Sequence, residues 1–300
     1  MSRFARIIHR RAAENAKVTQ RSSPHSKDEV KPLNESGHSL ALNNKASEGA
    51  RLNMVKKQFH LSIIASLAVL AVAGTASAQD FQKSYRLASG GQIHVGNISG
   101  DVVVTGYDGD SIIVKGTKKG RDRDKVEVED RSTDGRVDLA VHYPKHCDCD
   151  ASIQFEVQVP RSVSYVFDGI SSVSGDVEIS GVTGRVHASA VSGDVRVKSV
   201  SGSVSASAVS GDVEVGVDRL EGGDDMKFSS VSGDVSVHLP SSLDADVDMS
   251  SFSGSIKTDF PIEVRTEKYG TRSSARGKLG EGSARLKMSS VSGDLSLRHP

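Results

Sequence analysis

Along residues 166–300 the aliphatic positions repeat on two scales. Within short runs they alternate with polar residues, as in Val177-x-Ile179, Val186-x-Ala188, Val195-x-Val197, Val204-x-Ala206 and Val213-x-Val215. A period of two is that of a half-buried β-strand; it sends the Val, Ile and Ala set to one side and Glu178, Ser180, Arg196, Lys198 and Glu214 to the other. On the longer scale a V-S/T-G-x-V motif puts Val at 173, 182, 191, 200 and 209, nine residues apart. Copies alternate in kind: Asp176, Asp194 and Asp212 precede the V-x-V/I runs, whereas Arg185 and Ser203 precede the V-x-A runs. The full repeat is therefore eighteen residues. Such a fixed period predicts an all-β solenoid, its nine-residue strand units paired into coils of about 18–22 residues and stabilised by stacking. Later motifs at Val231, Phe252 and Val291 follow at spacings of 22, 21 and 39, the last read as two coils.

That register predicts which charges meet. Residues eighteen apart lie above one another, so Glu178, Arg196 and Glu214 form an alternating ladder. Asp176, Asp194 and Asp212 stack as like charges, to be relieved by solvent, by turn amides or by a cation. Calcium is one reading, because calcium-binding β-rolls also repeat every nine residues with a G-G-x-G-x-D pattern. Here each motif has one Gly, and Arg185 and Ser203 stand where a ligand would recur. The pattern favours Gly supplying an unusual turn and Asp or Ser bonding the turn backbone.

Residues 79–165 are less periodic. Candidate strands at 92–95, 101–105, 111–115, 125–129, 136–142 and 152–159 are separated by Gly/Asp-rich turns, and no helix is predicted from residue 79 onward. The run from Ile98 to Val102 already reads I-S-G-D-V, so this section is expected to be the irregular start of the same solenoid, capping its edge. It holds the one chemically loaded cluster, His142, His146, Cys147 and Cys149, which includes both cysteines of the chain. Soft S and N ligands suit a transition metal, yet C-x-C is tighter than the usual zinc spacing. A disulfide, within the loop or to another chain, and thiols without a role are the other readings.

Further upstream, Lys56 and Lys57 precede an apolar run over 61–73 that ends at Ala76-Ser-Ala78, the order of a secretory signal peptide over 54–78 cleaved after Ala78. Residues 1–53 are polar and without hydrophobic period; they are expected to be a disordered extension or the product of a misassigned start. Removing 1–78 takes away twelve Lys/Arg and five Asp/Glu, leaving 26 basic against 33 acidic residues. With no basic stripe, nucleic acid is not an expected partner. No long apolar segment follows Ala78, so no transmembrane span is expected in the mature chain.

No catalytic residue or cofactor site can be assigned. Sugar-active β-helices need convergent acids and usually aromatic platforms, whereas this chain has no Trp, only 4% aromatics, and acids spread along ladders. Metal candidates are confined to Asp176, Asp194 and Asp212, and to Cys147, Cys149, His142 and His146. Several motifs occur in a telling order: the opening Gly90-Gly-Gln-Ile93, the Gly100-Asp-Val102 strand, Val157-Gln-Val-Pro160, then serial V-S-G-D-V. Over 81–298 that order resembles the bacterial "putative adhesin" family, a β-strand-repeat domain of unknown function. The resemblance implies a surface or envelope role and carries no catalytic residues.

Four segments are therefore expected: 1–53, the signal peptide 54–78, an irregular β section 79–165 and regular coils 166–300. The expected function is that of a non-catalytic periplasmic or extracellular protein binding an envelope polymer or envelope protein. The alternatives are a calcium-binding repeat, a fibre component self-associating through its end coils, and a polysaccharide-active enzyme.

Overall fold

The computed structural model describes residues 80–220, 225–266 and 272–300. The expected extension at 1–53 and signal peptide at 54–78 lie outside the described residues.

The N-terminal section contains β1 (Phe81–Tyr85), β2 (Gln92–Ser99), β3 (Val102–Tyr107), β4 (Ile112–Lys119), β5 (Glu127–Asp130), β6 (Arg136–His142) and β7 (Ser152–Pro160). A 3-10 turn at Arg123–Lys125 is the only helical element among the described residues. The middle contains β8 (Ser164–Ser174), β9 (Val177–Ser180), β10 (Thr183–Ser192), β11 (Val195–Ser201), β12 (Val204–Ser210) and β13 (Val213–Arg219). The C-terminal section contains β14 (Met226–Ser232), β15 (Val235–His238), β16 (Ala245–Ser253), β17 (Ile256–Thr258), β18 (Glu263–Thr266), β19 (Ser273–Leu279), β20 (Ala284–Ser292) and β21 (Leu295–Arg298). All belong to one 21-stranded sheet.

Strand pairing resolves this sheet into two ladders. The first runs β6-β2-β8-β10-β12-β14-β20-β16, every neighbour parallel. The second runs β7-β3-β9-β11-β13-β15-β21-β17, also parallel throughout. In the middle the eighteen-residue register holds: Val177 pairs with Val195 and Val195 with Val213, while Val186 pairs with Val204.

Chain order and ladder order part at both ends. β2 and β3 sit between β6/β7 and β8/β9, and β20 and β21 slot between β14/β15 and β16/β17. The 39-residue spacing before Val291 is thus not two successive coils. The chain builds β16 and β17, turns outward through β18 and β19, and comes back to fill the place beside β14.

Buried positions alternate along each strand, and the inward sides of both ladders share one hydrophobic cluster. In the middle its layers are thin, with Ala188, Ala190, Ala206 and Ala208 facing Val195, Val197, Val213 and Val215. Towards the ends the layers thicken, through Phe155, Phe167 and Ile170 at one end and Phe228, Met249 and Met288 at the other. Each fully buried Val, Leu, Ile, Phe or Met contributes roughly 1.5–3 kcal/mol, so the end layers carry more stability per coil than the Ala-rich middle.

Three of the four ladder ends are closed by antiparallel strands: β5 on β6, β4 on β7 with β1 outside it, and β19 on β16 with β18 outside it; among the described residues β17, at the fourth, pairs with β21 alone. β5 carries three acidic residues and every residue of β18 is exposed, with Glu263 and Arg265 among its four. Short charged strands of this kind discourage further edge pairing. Lys83 and Tyr85 of β1 both donate to Asp130 of β5, at 2.5 and 2.9 Å, tying the edges of the two ladders together. Burial works against the Asp130 carboxylate, but hydrogen bonds from Lys83, Ser132 and Tyr85 outweigh it and hold the group well below the usual carboxylate range.

Candidate functional site

The V-S-G-D corner, where the first ladder hands over to the second, is built from columns of identical residues. Its glycines stack so closely that a Cβ on Gly211 would lie 2.1 Å from the Gly193 carbonyl oxygen, and one on Gly193 2.3 Å from that of Gly175. No other residue fits there. Ser172, Ser230, Ser251 and Ser290 are buried and donate to the carbonyls of Gly100, Gly211, Gly293 and Gly233.

After each glycine comes the aspartate column. Oδ1 of Asp101 accepts the Asp176 amide, Asp176 that of Asp194, Asp194 that of Asp212, Asp212 that of Asp234, and Asp234 that of Asp294, at 2.8–3.0 Å. Asp294 closes the series on the Ser255 amide, and that backbone bond holds its carboxyl below the ordinary value. Stacked like charges are thus relieved by turn amides. Arg196 adds to this by donating to both Asp176 and Asp194; the Asp176 bond foremost raises the guanidinium pKa.

The expected ladder of Glu178, Arg196 and Glu214 is present in register, but its ion pairs fall elsewhere. Arg196 turns to the aspartates, and Glu214 is met by Lys198 at 3.2 Å. Arg196 stands between Glu178 and Glu214 in register, yet its guanidinium reaches back two residues along the strand to the two adjacent aspartates of the corner.

The motif's leading hydrophobic residue faces outward. Ile98, Val173, Val191, Val209, Val231, Val291 and Phe252 follow one another from β2 to β16 and are 43–60% exposed. On either side of this row stand uncharged columns. One is Gly96, Ser171, Ser189, Ser207, Ser229, Ser289 and Ser250; the other is the motif serine, from Ser99 and Ser174 to Ser253. By contrast, Val182 and Val200, nine residues out of step, are buried.

A second surface lies on the outer side of the first ladder at its C-terminal end. A groove of about 550 Å³ is lined by Arg265, Arg272, Arg276 and Lys287 against Asp248 and Glu263. It adjoins a depression of about 520 Å³ that shares Asp248, Arg276 and Lys287 and adds Lys278, Arg285 and Asp246. Arg276 pairs with Asp248 at 3.3 Å and Arg265 with Glu263 at 3.0 Å. Lys227 and Lys287 stand directly opposite each other on β14 and β20, and among the described residues neither makes an ion pair.

The model of the Toastrack DUF4097 family matches residues 7–298. This chain belongs to that family. Toastrack DUF4097 is a domain of unknown function, in keeping with the adhesin-like resemblance of the sequence. Two solved structures are similar to this Toastrack chain. A "putative cell adhesion protein" from Clostridium sporogenes is 11% identical, covering 73% of this chain and 99% of its own, with a TM-score of 0.40. A "putative adhesin" from Bacteroides fragilis is 17% identical, covering 73% and 96%, with a TM-score of 0.36. At these scores neither likeness carries an argument about function. No curated protein matches.

In this Toastrack chain the two sequence-derived site candidates do not form one site. Asp176, Asp194 and Asp212 are brought together in one column, whereas the cysteine cluster lies in the loop between β6 and β7. There Cys147 and Cys149 are joined as a disulfide with Cα atoms 5.0 Å apart, and His142 and His146 are exposed. Among the described residues no group of three or more His, Cys, Asp or Glu side chains is placed to hold a metal ion, and no helix is long and apolar enough to cross a membrane. Sequence reasoning missed both the outward row and the groove. The groove joins β16, β18, β19 and β20, whose adjacency depends on the return of the chain through β20.

Proposed function

We propose that this chain is a non-catalytic β-solenoid module of the bacterial cell envelope that holds an anionic envelope polymer in the groove across β20, β16 and β19 and on the adjoining face of β14. In this reading the two parallel ladders are the coil faces, and the segment at 54–78 directs the chain to the periplasm or beyond. The V-S-G-D aspartates belong to the fold, their inner oxygens taken by amides, so that calcium is not needed to build the corner.

One observation carries the binding site: the Lys227–Lys287 pair. Like charges directly opposite across strands destabilise a sheet; Asp248, which faces Lys287 from β16, is taken by Arg276, so the lysine pair carries a cost that an anionic ligand would return. Beside it, Arg272 and Arg276 supply planar forks suited to carboxylate or phosphate groups. The envelope-polymer reading, rather than nucleic acid, follows from the secretory signal expected at 54–78.

Retention on immobilised polyuronate and polyphosphate tests the reading. Wild type should be held at low salt and released as salt rises, since exposed charge pairs are screened beyond about 10 Å at 0.1 M. The K227Q/K287Q double variant should bind at least tenfold more weakly and unfold at the same or a slightly higher temperature, since the like-charge pair is relieved. Failure of wild type to bind either polymer, or full retention by the double variant, would sink the reading.

A further inference from the structure

We propose that this chain pairs side by side with a second copy of itself through the outward hydrophobic row that runs from Ile98 to Phe252. Of the eight large hydrophobic residues exposed among the described residues, seven stand in this row; the eighth is Val264 on β18. Scattered exposed valines are ordinary, but a contiguous apolar line marks an interaction surface. The row is also maintained where the coils are most irregular: β2, β20 and β16 each present the same position outward.

Two features point to a second copy as the occupant, and a third sets how tightly it is held. The first is charge. The row and the columns on either side contain no charged residue, so two chains that share an acidic surplus elsewhere can meet here without like-charge contact, whereas a polyelectrolyte would find no counter-charge.

The second feature is spacing. One side chain per strand over seven neighbouring strands gives a line roughly 29 Å long at about 4.8 Å per step. A partner covering the whole line must present apolar groups at the same interval, and an identical row does so by construction. Val209, on β12, is the middle rung. A two-fold axis through that level sets Val209 against Val209 whether the two rows run parallel or antiparallel, the self-complementary arrangement of an isologous dimer.

The third feature is area. Three columns span roughly 10 Å along the strand, a footprint that falls short of the roughly 800 Å² per partner of a standard stable interface. The pair should therefore be weak and reversible, forming at high local concentration. It uses the faces of the coils; the sheet ends, with their short charged strands, take no part. Nothing in it depends on the anion groove.

Sedimentation velocity of the full-length protein across a hundredfold concentration range tests the pairing. Wild type should show a reversible monomer–dimer equilibrium. Val209→Lys should weaken it at least tenfold while leaving the thermal midpoint unchanged, because the side chain it replaces is exposed. Val209→Cys should give a covalent dimer on mild oxidation, whereas Glu178→Cys, on the other ladder, should not. A wild type that stays monomeric throughout the range, a dimer untouched by Val209→Lys, or a Val209→Cys chain that does not cross-link would each overturn the proposal. So would a monomeric wild type whose capture of another envelope component is abolished by Val209→Lys, since the row would then belong to a different partner.

Discussion

Two corners of the repeat carry nearly the same letters and have opposite fates. At the V-S-G-D corner the leading valines Val173, Val191 and Val209 are exposed; at the intervening V-T-G-R and V-S-G-S corners Val182 and Val200 are buried. Strand parity explains the difference. Before Val191 the inward positions Val186, Ala188 and Ala190 alternate strictly, so residue 191 must point outward. Before Val200 the inward positions Val195 and Val197 are followed by Ser199 in the left-handed region, at φ 53°, and the pairing of β11 with β13 shifts between Val197 and Val200. One extra residue reverses the face of everything after it. Gly181, at φ 64°, occupies the same place before Val182. One nine-residue period in sequence therefore covers two unlike corners, one with its leading valine buried and the other with it exposed.

The sharpest way to break the contrast is at the glycine column of the exposed corner. Gly211→Ala would drive a methyl into the Gly193 carbonyl, 2.1 Å away, a backbone group that cannot yield as the tip of a side chain could. A loss on the order of 3 kcal/mol is expected, at the upper end of overpacking costs. Gly135→Ala, with no atom within 4 Å of the added carbon, is the matched control and should change stability by less than about 0.5 kcal/mol. Chemical denaturation of both variants reads the difference. Equal midpoints would mean that the corners do not stack as closely as described.

Next in size is the contrast between the valines themselves. Val200→Ala should cost about 2 kcal/mol, because it empties a fully buried site in a thin layer that has little slack to collapse. Val191→Ala, from an exposed side chain in the same repeat, should stay within about 0.5 kcal/mol. Equal losses from the two substitutions would contradict the parity assignment.

These two experiments also mark what the sequence could and could not disclose. Alternation and the eighteen-residue spacing were enough to name the strands of the middle section, and residues such as Val177, Val195 and Val213 pair as the period predicts. The spacing could not reveal the left-handed residues, since Ser199 looks like any other polar strand position and only its φ changes the parity. Nor could it reveal the ladder order at the ends. β20 returns beside β14 because Leu286 and Met288 complete a layer with Met226 and Phe228, a long-range match that no local pattern announces. The groove depends on that return, so its lysines and arginines read in sequence as ordinary solvated charges. The aspartate column was legible as a stack, but its relief by amides required the turn geometry.

The smallest expected effect is the most specific to the parity argument. Ser199 holds a conformation that costs an L-residue with a Cβ roughly 1–2 kcal/mol and costs glycine almost nothing, and its side chain is exposed. Its counterpart eighteen residues earlier is already Gly181. Ser199→Gly should therefore stabilise the fold by up to about 1 kcal/mol, the relieved strain being offset in part by the greater freedom of glycine in the unfolded chain. Ser199→Val should do the reverse, because a β-branched side chain resists positive φ. If Ser199→Val were instead the more stable of the two, residue 199 would be an ordinary strand residue. The inward turn of Val200 would then need another cause.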